Sequence, residues 1–319
     1  MRQQLSRSSI VLAEGLTKNF GKVRALDGLD LDVRAGEVHG FLGPTGAGKS
    51  TTIRAVLGQL RLDGGRLSVL GRDPRRDVLE IHARLAYVPG DTALWPGLTG
   101  GECIDLLGGL HGRQDRRRRD ELVERFELDP SRRARTYSKG NRQKVALIGA
   151  LRLDCELLVL DEPTSGLDPL MESRFQATIE ELREQGRTVL LSSHVLDEVE
   201  ALCDRVTIIR SGRTVSSGSL TQLRSHLRTA VHVTTAAPIP ELTRQPGIAG
   251  LTAERRGADV QTRFTCRSDV LADVLAVIAH ARPTQVSVRP PSLDEVFLEQ
   301  YRARPHPEQQ PAAEQDREA

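Results

Sequence analysis

No apolar run in this chain of 319 residues approaches the roughly 18 that a membrane-spanning helix needs. Its first residues, MRQQLSRSSIVLAEG, also lack the apolar core of a secretory leader, so the sequence predicts a soluble chain. Cysteine is scarce. Cys103, Cys155, Cys203 and Cys266 stand far apart and form no CxxC or Cys/His cluster, which argues against a disulfide framework or a zinc site and fits a reducing cytoplasm. Net charge is nearly absent, +2 from 45 basic and 43 acidic residues, so the overall balance gives no reason to expect nucleic acid as a partner. Lysine is rare, with five against forty arginines, a compositional bias without mechanistic content. There is no internal repeat.

What is present is an apolar fraction of 38%, enough for real cores, and length enough for two domains. Residues 9 to about 94 alternate β-like runs (IVLAEGL, GLDLDV, EVHGFLG, LAYVPG) with turns and one clear helix start, the pattern of an α/β domain. From about 95 to 150 helical periodicity takes over in GGECIDLLGGLHG and DELVERFEL, and the charge run RQDRRRRDE between them reads as a solvated surface. From ELLVLDEP to DRVTIIRSGRTVSSG the α/β alternation returns, so the helical piece is an insertion in a first domain over residues 1–225. Beyond it, AVHVTT, GLTAERRGADVQTRFTC, SDVLADVLAVIAHA, QVSVRPP and SLDEVFLEQY predict a small α+β domain over 226–304. The polar tail PHPEQQPAAEQDREA, 305–319, predicts disorder.

GPTGAGKST follows directly on the β-like run EVHGFLG, and Gly43, Gly48, Lys49 and Ser50 satisfy the phosphate-loop pattern G-x-x-x-x-G-K-[ST]. Pro44, Thr45, Gly46 and Ala47 lie inside the loop and Thr51 follows it. The glycines let the backbone wrap phosphates, Lys49 reaches the outer phosphates, and the Ser50 hydroxyl is placed for Mg²⁺. A strand before and a helix (TIRAVLGQL) after supply the context this motif requires. Further on, Leu157 to Leu160 run straight into Asp161 and Glu162, which puts two carboxylates at a strand's C-terminal edge. Paired acids there serve equally to cap or solvate. Beside a phosphate loop, Asp161 becomes a Mg²⁺ holder acting through water, and Glu162 the group that orients or deprotonates the attacking water. His194 ends another apolar run, TVLLSS; a lone histidine is ordinarily structural, but at this strand end a γ-phosphate contact is the better reading. The stretch TYSKGNRQKVAL reads as a turn opening a helix, a second anion-binding arrangement far from the first.

In order, GPTGAGKST, YSKGNRQK, LLVLDEPTSGLDP and SSHVLDE resemble the nucleotide-binding subunit of ATP-binding cassette (ABC) transporters over roughly residues 9 to 225. The resemblance implies a P-loop NTPase fold with an inserted helical subdomain, ATP with Mg²⁺ as cofactors, and ATP hydrolysis as the activity. It implies that Phe20 stacks on adenine, and that two subunits, here a homodimer, meet head to tail so that Ser138 and Gly140 close over the partner's γ-phosphate. Asp168 then belongs to the loop communicating between the two sites. The C-terminal unit, ending in PSLDEVFLEQY, is similar to the extension of ABC-2 type exporter subunits of the drug- and antibiotic-efflux kind. A separate transmembrane permease is implied, with this chain on the cytoplasmic face of the membrane. Trp95, Pro96 and Leu98 are its candidate contact, with core filling as the alternative for the lone tryptophan.

Three departures stand out. Lys139 replaces the first glycine of the usual L-S-G-G-Q signature, either to attract phosphate or to point to solvent. Thr45 stands where asparagine is common. Gly90, in AYVPGD, stands where the family has glutamine or glutamate, with Asp91 as a substitute shifted by one residue. The alternatives are a non-transport ATPase of the same superfamily and a binding module that has lost hydrolysis. A translation-factor type would carry two cassettes and a chromosome-maintenance type a long coiled coil, and neither pattern occurs. The cassette itself does not name the cargo.

Overall fold

Two hydrophobic patterns make two kinds of sheet. In β1 (Ser9–Phe20) and β2 (Val23–Arg34), Val11, Ala13, Leu16, Leu29, Leu31 and Val33 are buried while Asp30 between them is exposed, the period of a half-buried strand. β3 (Val38–Leu42) is instead buried at every position, as strands covered on both faces are. The computed structural model describes residues 8–109, 115–224 and 228–289, and the chain divides into two compact units between Leu220 and Thr221.

In the first unit α1 (Lys49–Val56) follows β3. It is succeeded by β4 (Gly64–Val69), α2 (Val78–His82) and β5 (Leu85–Val88). β4 completes an antiparallel sheet in the order β2-β1-β4. Its segment GGRLSV begins with two glycines, which mask a strand at the level of pattern. The expected insertion is helical: α3 (Gly100–Gly109), α4 (Arg116–Arg125) and α5 (Lys139–Leu151).

The charge run is exposed, as expected, at Asp115, Arg116, Arg117, Asp120 and Glu121, with two exceptions. Its described part opens α4, and two of its arginines turn inward where a solvated surface was expected. Arg118 donates to Glu181 at 3.1 Å, and Arg119 Nε donates to Asp105 at 2.8 Å. Acids on neighbouring helices draw these guanidiniums in, because paired charges tolerate partial burial. Asp105 also accepts from the buried Arg152 at 3.2 Å, whose guanidinium occupies the space left open by Gly108.

β6 (Leu157–Asp161), α6 (Pro169–Glu184), β7 (Thr188–Ser193), α7 (Leu196–Leu202), β8 (Arg205–Arg210) and β9 (Arg213–Ser219) follow. Together they give a second sheet in the order β5-β6-β7-β3-β8-β9, parallel up to β8 and closed by the antiparallel β8–β9 pair. Leu16, Leu31, Phe41, Ile53, Leu157 and Leu190 belong to one core shared by the two sheets. This is the mixed α/β arrangement expected of a P-loop cassette, and it sets β6, β7 and β3 side by side so that their C-terminal ends share one edge.

α8 (Leu220–Arg224) spans the division. The second unit holds β10 (Arg228–Thr235), β11 (Ile248–Arg256), β12 (Asp259–Arg267), α9 (Leu271–His280) and β13 (Gln285–Arg289). The sheet order is β11-β12-β10-β13, all antiparallel. Val231, Val233, Leu242, Phe264, Val274 and Ile278 form its core. The segment SLDEVFLEQY and the tail after it lie outside the described residues. All four cysteines are buried and free. Among the described residues no helix is long and apolar enough to cross a membrane.

Candidate active site

The turn from β3 into α1 carries the phosphate-loop motif, and its glycines are there for two different reasons. Gly46 and Gly48 have φ of 80° and 111°, a left-handed backbone that costs glycine nothing. Gly43 has no room for a side chain, since a Cβ would stand 2.6 Å from the Ile209 carbonyl oxygen. Thr45, Gly46 and Ser50 are exposed, Pro44 and Thr51 half-buried, and Ala47 buried. Lys49 is 5% exposed and folds back over the loop, where its Nζ donates to Gly43 O at 2.7 Å and Pro44 O at 3.2 Å. Burial pulls its pKa below the ordinary 10.5, against the upward pull of Glu162 and Asp161.

The acids arrive from β6. Asp161 is buried and accepts from the Ser192 hydroxyl of β7, its register partner. Glu162 takes a left-handed φ of 48°, which costs a non-glycine residue about 1–3 kcal/mol and is concentrated at functional sites. Its N–H donates to Ser192 O at 3.0 Å, which holds the bend. The carboxylate that results lies 3.7 Å from Lys49 Nζ and 3.3 Å from His194 Nδ1. Lys49 from the start of α1, after β3, and Glu162 and His194 from just past the ends of β6 and β7 therefore meet around one half-exposed carboxylate.

The remaining candidates stand apart from that group. Phe20 ends β1, is 48% exposed, and has Lys18 Nζ 5.3 Å from its ring centroid. Ser138 caps α5, its Oγ accepting from Asn141 N at 3.3 Å. Asp168 caps α6 in the same way, accepting from Met171 N at 3.0 Å. Gly140 packs on Gly166 so closely that a Cβ would lie 2.4 Å from the Gly166 carbonyl oxygen. Among the described residues no hydrogen bond joins Ser138 or Gly140 to the phosphate loop. Lys139, expected to attract phosphate or point to solvent, is exposed and donates to Ser165 Oγ at 2.8 Å, because the loop packed on Gly140 brings that hydroxyl within reach. Trp95 is 45% exposed and not a core filler. Asp91 is exposed, while Gly90 lies against the acid pair, a Cβ there being 3.1 Å from Asp161 O and 3.7 Å from Glu162 Cβ.

Sequence reasoning passed over Thr92, Gln143, Ser192 and Glu198, all of them buried. Ser192 had a signal, a hydroxyl closing an apolar strand beside the acids. Gln143 had a weaker one, a polar residue on the otherwise buried face of α5.

The sequence pattern of the family described as "ABC transporter" matches residues 26–165. A daunorubicin resistance ATP-binding protein of Streptomyces coeruleorubidus is 36% identical over 298 residues, covering 90% of this chain and 94% of that protein. A linearmycin resistance ATP-binding protein of Bacillus subtilis is 30% identical over 299 residues, covering 90% and 96%. Among solved structures, one described as the ATP binding subunit of an ABC transporter superposes with a TM-score of 0.64 at 28% identity, over 68% of this chain and 93% of that one.

Proposed function

This chain belongs to the ABC transporter family, and from that premise we propose that it is the ATP-binding, ATP-hydrolysing subunit that powers a separate membrane permease for export of a small molecule. One observation carries the reading. Lys49, Glu162 and His194 converge at one edge of the sheet, whereas the turn at Ser138 and Gly140 is fastened to the loop before Asp168 and leaves the phosphate loop open for another molecule's turn.

In this reading the loop from Gly43 to Thr51 wraps the phosphates and Lys49 holds the outer ones. Phe20 offers its exposed ring to adenine. Asp161 and Ser50 are hard oxygen donors that would hold Mg²⁺, Asp161 through water. Bound there, the ion neutralises phosphate charge. Glu162 orients and deprotonates the attacking water, and His194 steadies that carboxylate from 3.3 Å while facing the γ-phosphate. Ser138 and Gly140 complete the site of a second copy of this chain, and Asp168 lies on the loop between the two sites. The permease supplies the membrane path, with the exposed Trp95 in the docking surface, which places this chain peripherally on the cytoplasmic face. The unit after residue 225 stabilises the dimer without a ligand of its own. The names of the two relatives, both resistance proteins against small molecules, support export.

Mixed dimers test the shared site. Lys49→Ala removes the phosphate-loop half of a site and Ser138→Arg the signature half, so each variant alone is expected to be inactive. Mixed in equal amounts with free exchange, half the dimers are mixed and each regains one intact site, giving up to about a quarter of wild-type sites. Ser138→Arg protein hydrolysing ATP at the wild-type rate would remove the two-chain site.

A further inference from the structure

Gln143 lies on α5, five residues beyond Ser138, and is 1% exposed. A carboxamide so deep needs partners at both ends, because an orphaned buried donor or acceptor carries its full desolvation cost. Its Nε2 donates to Pro163 O at 3.1 Å, on the residue directly after Glu162. Its Oε1 accepts from Thr92 Oγ1 at 2.8 Å, two residues after Gly90. Thr92 is itself buried. One side chain of α5 is thus bonded to both segments that flank the acid pair.

The first turn of α5 reinforces the link, with Lys139 Nζ on Ser165 Oγ at 2.8 Å and Gly140 pressed against Gly166. We propose that Gln143 is a positioning residue that couples the Ser138 turn and the Gly90–Thr92 segment to the backbone beside Glu162. Closure of the Ser138 turn on a partner's nucleotide then sets where Glu162 stands in its own chain. Gly90 has no side chain to make this connection, and the Thr92 hydroxyl makes it through Gln143. The inference rests on the two-chain site proposed above. Glutamine suits the task because it presents a donor and an acceptor in opposite directions: glutamate cannot donate to Pro163 O, and leucine can do neither.

The test uses the full-length protein and compares Gln143→Leu, Thr92→Val, their double variant and Thr92→Ser, with Lys49→Ala alongside. Gln143→Leu and Thr92→Val are each expected to lower kcat by about tenfold or more while the dissociation constant for ATP in the non-hydrolysing state stays within about twofold. The double variant should fall no further than the worse single, because both changes break the same bond. Thr92→Ser, which keeps the hydroxyl, should retain wild-type turnover. Thermal melting shows that turnover is counted per folded molecule, and if Gln143→Leu does not fold, the Thr92→Val and Thr92→Ser pair decides. Wild-type kcat in Thr92→Val, additive losses, or a fall in ATP affinity matching the fall in kcat overturns the proposal. Should Lys49→Ala or the Ser138→Arg protein described above also hydrolyse ATP normally, the underlying two-chain ATPase reading fails with it; if both are dead and the others are normal, only the Gln143 inference fails.

Discussion

Gly140→Ala sets two physical effects against each other. Gly140 sits in the first turn of α5 without a left-handed φ, so local backbone preference alone favours alanine by up to about 1 kcal/mol. The new methyl, however, would stand 2.4 Å from the Gly166 carbonyl oxygen, where ordinary contact begins at 3.4 Å. The helix and the loop must therefore separate by about 1 Å, an overpacking that costs roughly 1–3 kcal/mol. Gly166 is held at φ 83°, so its carbonyl cannot simply rotate away. The net loss of stability is then about 0–2 kcal/mol, a drop of a few degrees in melting temperature. Activity is more sensitive, because a 1 Å misplacement at a catalytic constellation can cost about 10²-fold, and the displaced loop connects Glu162 to Asp168. Gly97→Ala is the control, since a Cβ there meets nothing within 4 Å. The assay is steady-state ATP turnover beside thermal unfolding of the same preparations. A Gly140→Ala protein that melts higher than wild type and turns over normally would refute the steric argument.

Glu162→Gln should keep nucleotide binding while turnover falls at least about 10²-fold, as removal of a general base does; unchanged turnover would take Glu162 out of the mechanism. Glu198 gives a pH-dependent result. Burial raises its carboxyl pKa above the ordinary 4.5, opposed by hydrogen bonds from Ser193 and Thr164, with Glu172 raising it and His194 lowering it further. A raised folded-state pKa means a stability contribution present below 4.5 and lost as pH rises through the folded value. Neutral Glu198→Gln should therefore gain stability over wild type progressively as pH rises from 4.5 through the folded-state value. Urea midpoints across that range measure it, and a difference that does not change with pH refutes it.

The parts of the site legible in the sequence are those whose chemistry and geometry are both local. Gly43 to Ser50 constrain a single turn, and Leu157 to Glu162 a single strand and its end. The partner of Lys139 was not legible, because Ser165 reaches it only through packing between segments 26 residues apart. The inward turn of Arg118 and Arg119 depends on Asp105 and Glu181, which no local period announces. Gln143 is hidden for the same reason, its bond to Thr92 spanning 51 residues of chain. β4 was missed because paired glycines read as a turn, and the antiparallel partner β1 overrides that preference.

The order of strands in the parallel sheet also bears on how the protein is made. A ribosome that has released residues up to the end of α1 has supplied the whole phosphate loop. Neither strand that flanks β3 yet exists, for among the described residues β3 pairs with β7 and β8. β1 and β2 can pair as they emerge, being consecutive and antiparallel. β3 must wait, and with it the left-handed bends of Gly46 and Gly48. The carbonyl that leaves Gly43 no space belongs to Ile209, on the later of those two strands. A nascent chain therefore carries the complete motif through much of its synthesis without the scaffold that shapes it, and the nucleotide pocket is among the last parts of the first unit to form.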